Sequence, residues 1–93
     1  MSETREVRIK RLHMRSIRRG IKEMDLILTD YATRHLPNLS DDELDVYDSL
    51  LSESDHDIYG WITKQWPVPE RYQPIMSVIM ADAEGLTKPA IRL

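Results

Sequence analysis

The chain has 93 residues, 41% of them hydrophobic and 31% charged, and a formal net charge of −3. That is enough for one soluble globular domain with a core able to fold without staples. It contains no cysteine, which excludes disulfides, thiolate metal sites and cysteine nucleophiles and is compatible with a reducing compartment. No apolar run approaches the roughly eighteen residues of a membrane span, and nothing near the start reads as a secretory signal. The Arg-rich start is interrupted by Glu3 and Glu6, unlike an acid-poor mitochondrial presequence, so the chain is expected to stay where it is made.

Charge is unevenly spread along the chain. Eight of the thirteen Lys and Arg lie in the first 22 residues against only Glu3 and Glu6, a local balance of +6, while the rest carries −9. The expected molecule is electrically two-ended, with a basic arm on a small acidic body. Such an arm suits an acidic protein surface or nucleic acid.

In chain order, Val7, Ile9, Leu12, Met14 and Ile17 alternate loosely with basic residues and predict a short helix over 7–17. From Ile21 the helical period sharpens through Met24, Ile27, Leu28, Tyr31 and Leu36, and Pro37-Asn38 ends that helix. Ser40-Asp41-Asp42-Glu43 is a capping box, followed by the apolar face Leu44, Tyr47, Leu50 and Leu51. Ser54-Asp55-His56-Asp57 repeats the device ahead of Ile58, Trp61 and Ile62. Pro67 and Pro69 bracket a stiff connector, with Trp66 the aromatic most expected to be exposed. A last helix begins between Glu70 and Pro74, carries Ile75, Met76, Ile79 and Met80, and gives way to a frayed polar tail punctuated by Gly85 and Pro89. No segment alternates as a strand does. The expectation is an all-α fold of four or five short helices in one domain spanning 1–93, with 1–7 and 84–93 as flexible tails.

The stretch that stands out is Arg18-Arg19-Gly20-Ile21-Lys22-Glu23, where the basic segment meets the first sharp helical pattern. If helical throughout, Arg19 and Glu23 share a face and can pair, in the weaker order with the base ahead of the acid. Gly20 between them would cost roughly 1 kcal/mol relative to alanine and would present bare backbone at the surface. Two readings stand side by side. Either Gly20 hinges two helices beside a solvated ion pair, or the stretch is a contact site where another chain approaches closely.

Catalytic chemistry finds little support. His13, His35 and His56 are scattered and lack metal-ligand spacing. Asp41, Asp42, Glu43, Asp45 and Asp48 lack the glycine and alternating oxygens of a calcium loop and read as helix-start charges and a solvated face. The three glycines form no phosphate loop, and Ser40 and Ser54 read as caps rather than nucleophiles. An enzyme is not expected.

Arg19-Gly20-Ile21-Lys22-Glu23 fits the Arg-Gly-x-x-Glu motif of the succinate dehydrogenase assembly factor family. Arg11-Leu12, Arg15-Ser16, Met24-Asp25-Leu26, Leu39-Ser40-Asp41-Asp42-Glu43-Leu44, Asp57-Ile58-Tyr59-Gly60-Trp61 and Pro67-Val68-Pro69-Glu70 resemble family segments in the same order, over roughly residues 8 to 82. The resemblance implies a five-helix bundle that acts as a chaperone-like assembly factor. Such a factor binds the flavoprotein subunit of succinate dehydrogenase, or of fumarate reductase, and promotes covalent attachment of FAD to a histidine of that subunit. It further implies no stably bound cofactor, no nucleic acid and no membrane insertion, a monomer, and a location in the bacterial cytoplasm or, in a eukaryote, the mitochondrial matrix. The contact residues it carries over are Arg19, Gly20 and Glu23, with Ile21 and Lys22 at the variable positions and Arg15 and Arg18 beside them. A side chain at position 20, as in Gly20→Glu, is expected to abolish binding, and Glu23→Gln to weaken it. The alternative from another class is a helical nucleic-acid-binding module using the basic arm, with salt-sensitive binding.

Overall fold

The computed structural model describes residues 3–17 and 19–87, without the side chains of 85–87. Among them it has five α-helices and no strand: α1 (Arg5–Ser16), α2 (Lys22–His35), α3 (Asp41–Leu51), α4 (Asp55–Ile62) and α5 (Gln73–Thr87), with 3-10 turns at Leu36–Asn38 and Glu70–Tyr72. The all-α expectation holds. Helix α2 is central and packs against both α1 and α5, while α3 closes over α1 and α5.

Local chemistry fixes the boundaries. The Ser40 hydroxyl accepts from the Glu43 amide at 3.1 Å and the Glu43 carboxylate accepts from the Ser40 amide at 2.8 Å, so the capping box is complete. At α4 the serine half is formed, with Ser54 Oγ accepting from the Asp57 amide at 3.1 Å. Asp57 is one methylene shorter than a glutamate, which leaves the return bond out of easy reach. Pro37 closes α2 through a 3-10 turn, and Pro74 is accommodated in the first turn of α5. Helix α4 ends in a Schellman arrangement: the Gln65 amide donates to the Gly60 carbonyl at 2.8 Å and the Lys64 amide to the Trp61 carbonyl at 3.1 Å. Lys64 takes the left-handed position usually given to glycine, with φ 64°.

The core gathers the predicted stripes: Met24, Ile27, Leu28, Tyr31, Leu36, Leu44, Tyr47, Leu50, Ile58, Trp61, Tyr72, Met76 and Ile79 are buried. Three expectations are corrected. The first helix starts at Arg5, and of its apolar residues only Leu12 is fully buried, while Val7 and Met14 face outward. In their place the polar Ser16 enters the core, its hydroxyl 2.6 Å from the Tyr47 hydroxyl and 2.8 Å from the Leu12 carbonyl. Burial pushes the Tyr47 phenol up to about 12. The last helix runs through Gly85 to Thr87 instead of fraying before it; Pro89 lies outside the described residues. Trp66, expected at the surface, folds back onto Gly60 and packs against the core, its indole N–H donating to the Asp57 carbonyl at 3.3 Å. Helix α4 has an open slot where Gly60 lacks a side chain, and the indole fills it.

Candidate functional site

Helix α1 runs alongside α3 in the same direction, and this pairing decides what the basic segment can do. Arg5 donates to Asp41 at 3.1 Å, Arg8 to Asp45, Arg11 to Asp48 at 3.1 Å and to Glu3 at 2.7 and 3.0 Å, and Arg15 to Asp48 and to Ser52 at 3.2 Å. The arginines fall on one side of α1, and Asp41, Asp45 and Asp48 recur every three or four residues on the facing side of α3. Burial pushes the Asp48 carboxyl up, but the Arg11 hydrogen bond and the charges of Arg11, Arg15 and Arg8 outweigh it and hold the group below its ordinary range. The Arg11 hydrogen bond likewise lowers Glu3. The two-ended charge distribution is therefore a property of the sequence alone. In space Arg5, Arg8, Arg11 and Arg15 of this segment lie on one helix and pair with acids expected to form a solvated face.

At the end of this ladder lies the Arg19 to Glu23 stretch, and its geometry differs from the expected helical pair. Helix α1 stops at Ser16 and α2 starts at Lys22, so Arg19 and Gly20 form a non-helical junction, and Arg18 lies outside the described residues. Arg19 does not pair with Glu23. Its guanidinium turns inward, with only 13% of the side chain exposed. Nε donates to Asp55 Oδ1 at 2.7 Å, one terminal nitrogen to the carbonyls of Leu51 at 3.1 Å and Arg15 at 3.3 Å, and the other to the Glu53 carbonyl at 3.3 Å. Arg15 and Leu51 are at the C-terminal ends of α1 and α3, where carbonyls lack helical partners and carry partial negative charge. One planar cation thus satisfies two helix ends and the α3–α4 turn together.

The rest of the stretch, Ile21 apart, points outward. Gly20 is exposed, and its amide donates to Asp55 Oδ2 at 2.7 Å. Its φ is not in the left-handed region, so the backbone conformation does not demand glycine. A Cβ there would stand 3.3 Å from Asp55 Oδ2, tight against that carboxylate. Ile21 caps α2 and packs its side chain on the core. Lys22 and Glu23 are exposed in the first turn of α2, where Glu23 and Asp25 suit the positive helix end, and Asp25 accepts from the Arg19 amide. Arg15, Ile17, Arg19, Gly20, Glu53 and Asp55 line a shallow, open depression at this junction.

Of the residues singled out from sequence, Gly20, Lys22 and Glu23 form a common exposed edge, Arg19 supports it from behind, and Arg15 is engaged by α3. The residue missed was Asp55, which reads from sequence only as a helix-start acid; no local signal connects it to a junction thirty-five positions earlier. The histidines make their contacts elsewhere: His13 meets Thr33 at 3.1 Å, His35 meets Asp82 at 2.9 Å, and the His56 ring lies tilted against Trp66. No helix among the described residues is long and apolar enough to cross a membrane.

Fold and site together define a small all-helical protein with an exposed glycine pinned at one helix junction. Comparison with known proteins specifies the class. Residues 10–83 match the Sdh5 family, described as the flavinator of succinate dehydrogenase, and the chain belongs to that family. It is 43% identical to the mitochondrial succinate dehydrogenase assembly factor 2 of Meyerozyma guilliermondii, over 98% of this chain and 71% of that protein. The corresponding proteins of Debaryomyces hansenii and Candida glabrata are 41% and 39% identical, over 98% and 100% of this chain and 68% and 64% of theirs.

Proposed function

We propose that this protein is an assembly factor that binds the flavoprotein subunit of succinate dehydrogenase and promotes covalent attachment of FAD to it. Family membership across residues 10–83 is the observation that carries the reading. The geometry supplies a way of doing it. Gly20 offers backbone without a side chain, so a partner chain can approach closely, and Glu23 and Lys22 flank it with exposed charges that can form charge-assisted hydrogen bonds across the contact. Arg19 contributes by holding the junction rather than by touching the partner. Binding would favour a flavoprotein conformation in which the acceptor histidine and the flavin ring meet in reacting geometry, a population shift to which this protein adds no catalytic group and for which it holds no flavin of its own. It acts as a monomer wherever the flavoprotein is made ready, the mitochondrial matrix for a eukaryotic chain and the cytoplasm for a bacterial one. The nucleic-acid reading rested on a free basic arm, and the arginines of α1 are committed to α3.

The test is co-expression of the flavoprotein subunit with the wild type, with a Gly20 variant and with neither, reading flavin fluorescence of the denatured subunit in a gel. Because the Asp55 carboxylate adjoins position 20, Gly20→Gln is a cleaner obstruction than Gly20→Glu, adding bulk without a like charge. Fluorescence that depends on the wild type and is lost with the variant is expected. Equal fluorescence in all three arms would refute the reading.

A further inference from the structure

We propose that Asp55 is a positioning residue for partner docking: its carboxylate grips Arg19 and Gly20 together and sets the conformation of the patch that the flavoprotein meets. The inference rests on the functional reading above and extends it to a residue outside the Arg19 to Glu23 stretch. Asp55 is the first residue of α4, with its side chain 24% exposed. Each of its oxygens takes one donor from consecutive residues of the junction, Oδ1 from Arg19 Nε and Oδ2 from the Gly20 amide, both at 2.7 Å. Two short charge-assisted bonds from neighbouring residues to one carboxylate fix both the direction of the guanidinium and the plane of the peptide before Gly20. The positive end of α4 favours the charge that makes this possible.

This also gives Gly20 a second reason to lack a side chain. A Cβ would stand 3.3 Å from Oδ2, so a substituent that blocks the partner in front also pushes on the carboxylate behind. The turn holding Asp55 is itself tied down, since Arg19 binds the Leu51 and Glu53 carbonyls and the Glu53 carboxylate accepts from the Tyr72 hydroxyl at 2.8 Å. A rigid patch binds with less ordering cost than a loose one.

Asp55→Asn keeps the shape but puts an amide N–H₂ against one of the two donors, so one bond must be lost. The variant is compared in the full chain with Ser40→Ala, which removes the distant α3 cap and lowers stability without touching the junction. The first readout is hydrogen exchange at the Gly20 amide in the free protein, followed by NMR; the second is flavinylation in the co-expression assay. Asp55→Asn is expected to speed Gly20 exchange about tenfold and to lower flavinylation several-fold. Ser40→Ala should lower the melting temperature while leaving both readouts near wild type. Unchanged Gly20 exchange in Asp55→Asn would overturn the positioning role. Faster exchange with wild-type flavinylation would overturn its part in docking. Failure of the wild type itself to raise flavinylation would instead overturn the parent functional reading, and Gly20 exchange, measured without partner, would still decide whether Asp55 holds the junction.

Discussion

Gly20 and Gly60 are the same residue in opposite surroundings. Neither has a positive φ, so neither is required by backbone conformation. At Gly60 the space above the missing Cβ is taken by Trp66, whose ring atoms would stand 2.1 Å from it, an overlap that only moving the indole could relieve. At Gly20 the nearest atom is an Asp55 oxygen at 3.3 Å, and the residue is otherwise exposed. One glycine is a slot filled by the protein itself; the other is exposed backbone, which the proposed docking would use. The sequence shows both glycines alike, and only the tertiary structure shows that the fold itself excludes a side chain at Gly60 and leaves Gly20 exposed.

The contrast breaks most sharply in stability. Gly60→Ala should cost about 3 kcal/mol by overpacking the Trp66 contact, a fall in melting temperature of roughly 12 °C or more, whereas Gly20→Ala should cost less than about 1 kcal/mol. Equal losses in thermal melts would mean that the two sites are not distinct. Next in size, Arg19→Ala leaves Asp55 and three carbonyls without their cation and should cost about 2 kcal/mol. Glu23→Gln, on the exposed side of the same stretch, should leave the melt within about 1 °C and mildly weaken association with the flavoprotein in calorimetry. Substantial unfolding by Glu23→Gln would place that residue behind the patch with Arg19.

A smaller effect follows from the ladder behind the junction. Asp48 is held below its ordinary value of 3.8, so its contribution is fully present above that value and is lost as pH falls through the lower, folded-state value. Chemical denaturation should show stability declining below about pH 4, with a shallower decline in Asp48→Asn. Tyr47, raised by burial from 10.0 to about 12, works at the other end: its unfolded form ionises first, so stability falls as pH rises above 10.0. The smallest effect is a gain. Lys64→Gly relieves a left-handed lysine and should raise stability by about 0.5 kcal/mol, visible as a few degrees in the melt.

What the sequence made legible was what neighbouring residues decide. Ser40 to Glu43 is a complete local device, and Met24, Ile27, Leu28 and Tyr31 repeat at the helical period, so boundaries and faces follow from spacing. Charge segregation along the chain misled, because α1 and α3 lie side by side and interleave what the sequence separates. Ser16 in the core is matched by the Tyr47 hydroxyl, thirty-one positions away, as well as by its own helix, and Trp66 is half-buried because Gly60 leaves room for it. The Arg19 to Glu23 stretch could be found but not oriented. Helical spacing paired Arg19 with Glu23, whereas carbonyls and a carboxylate from the α3–α4 turn, all at long sequence separation, turn the guanidinium inward.

The most direct test of an open patch held from behind is calorimetric binding of the flavoprotein subunit to the wild type and to Gly20→Gln, with each protein's melt recorded alongside. The variant should melt close to the wild type and no longer bind. A folded Gly20→Gln protein that binds the subunit with wild-type affinity would contradict it.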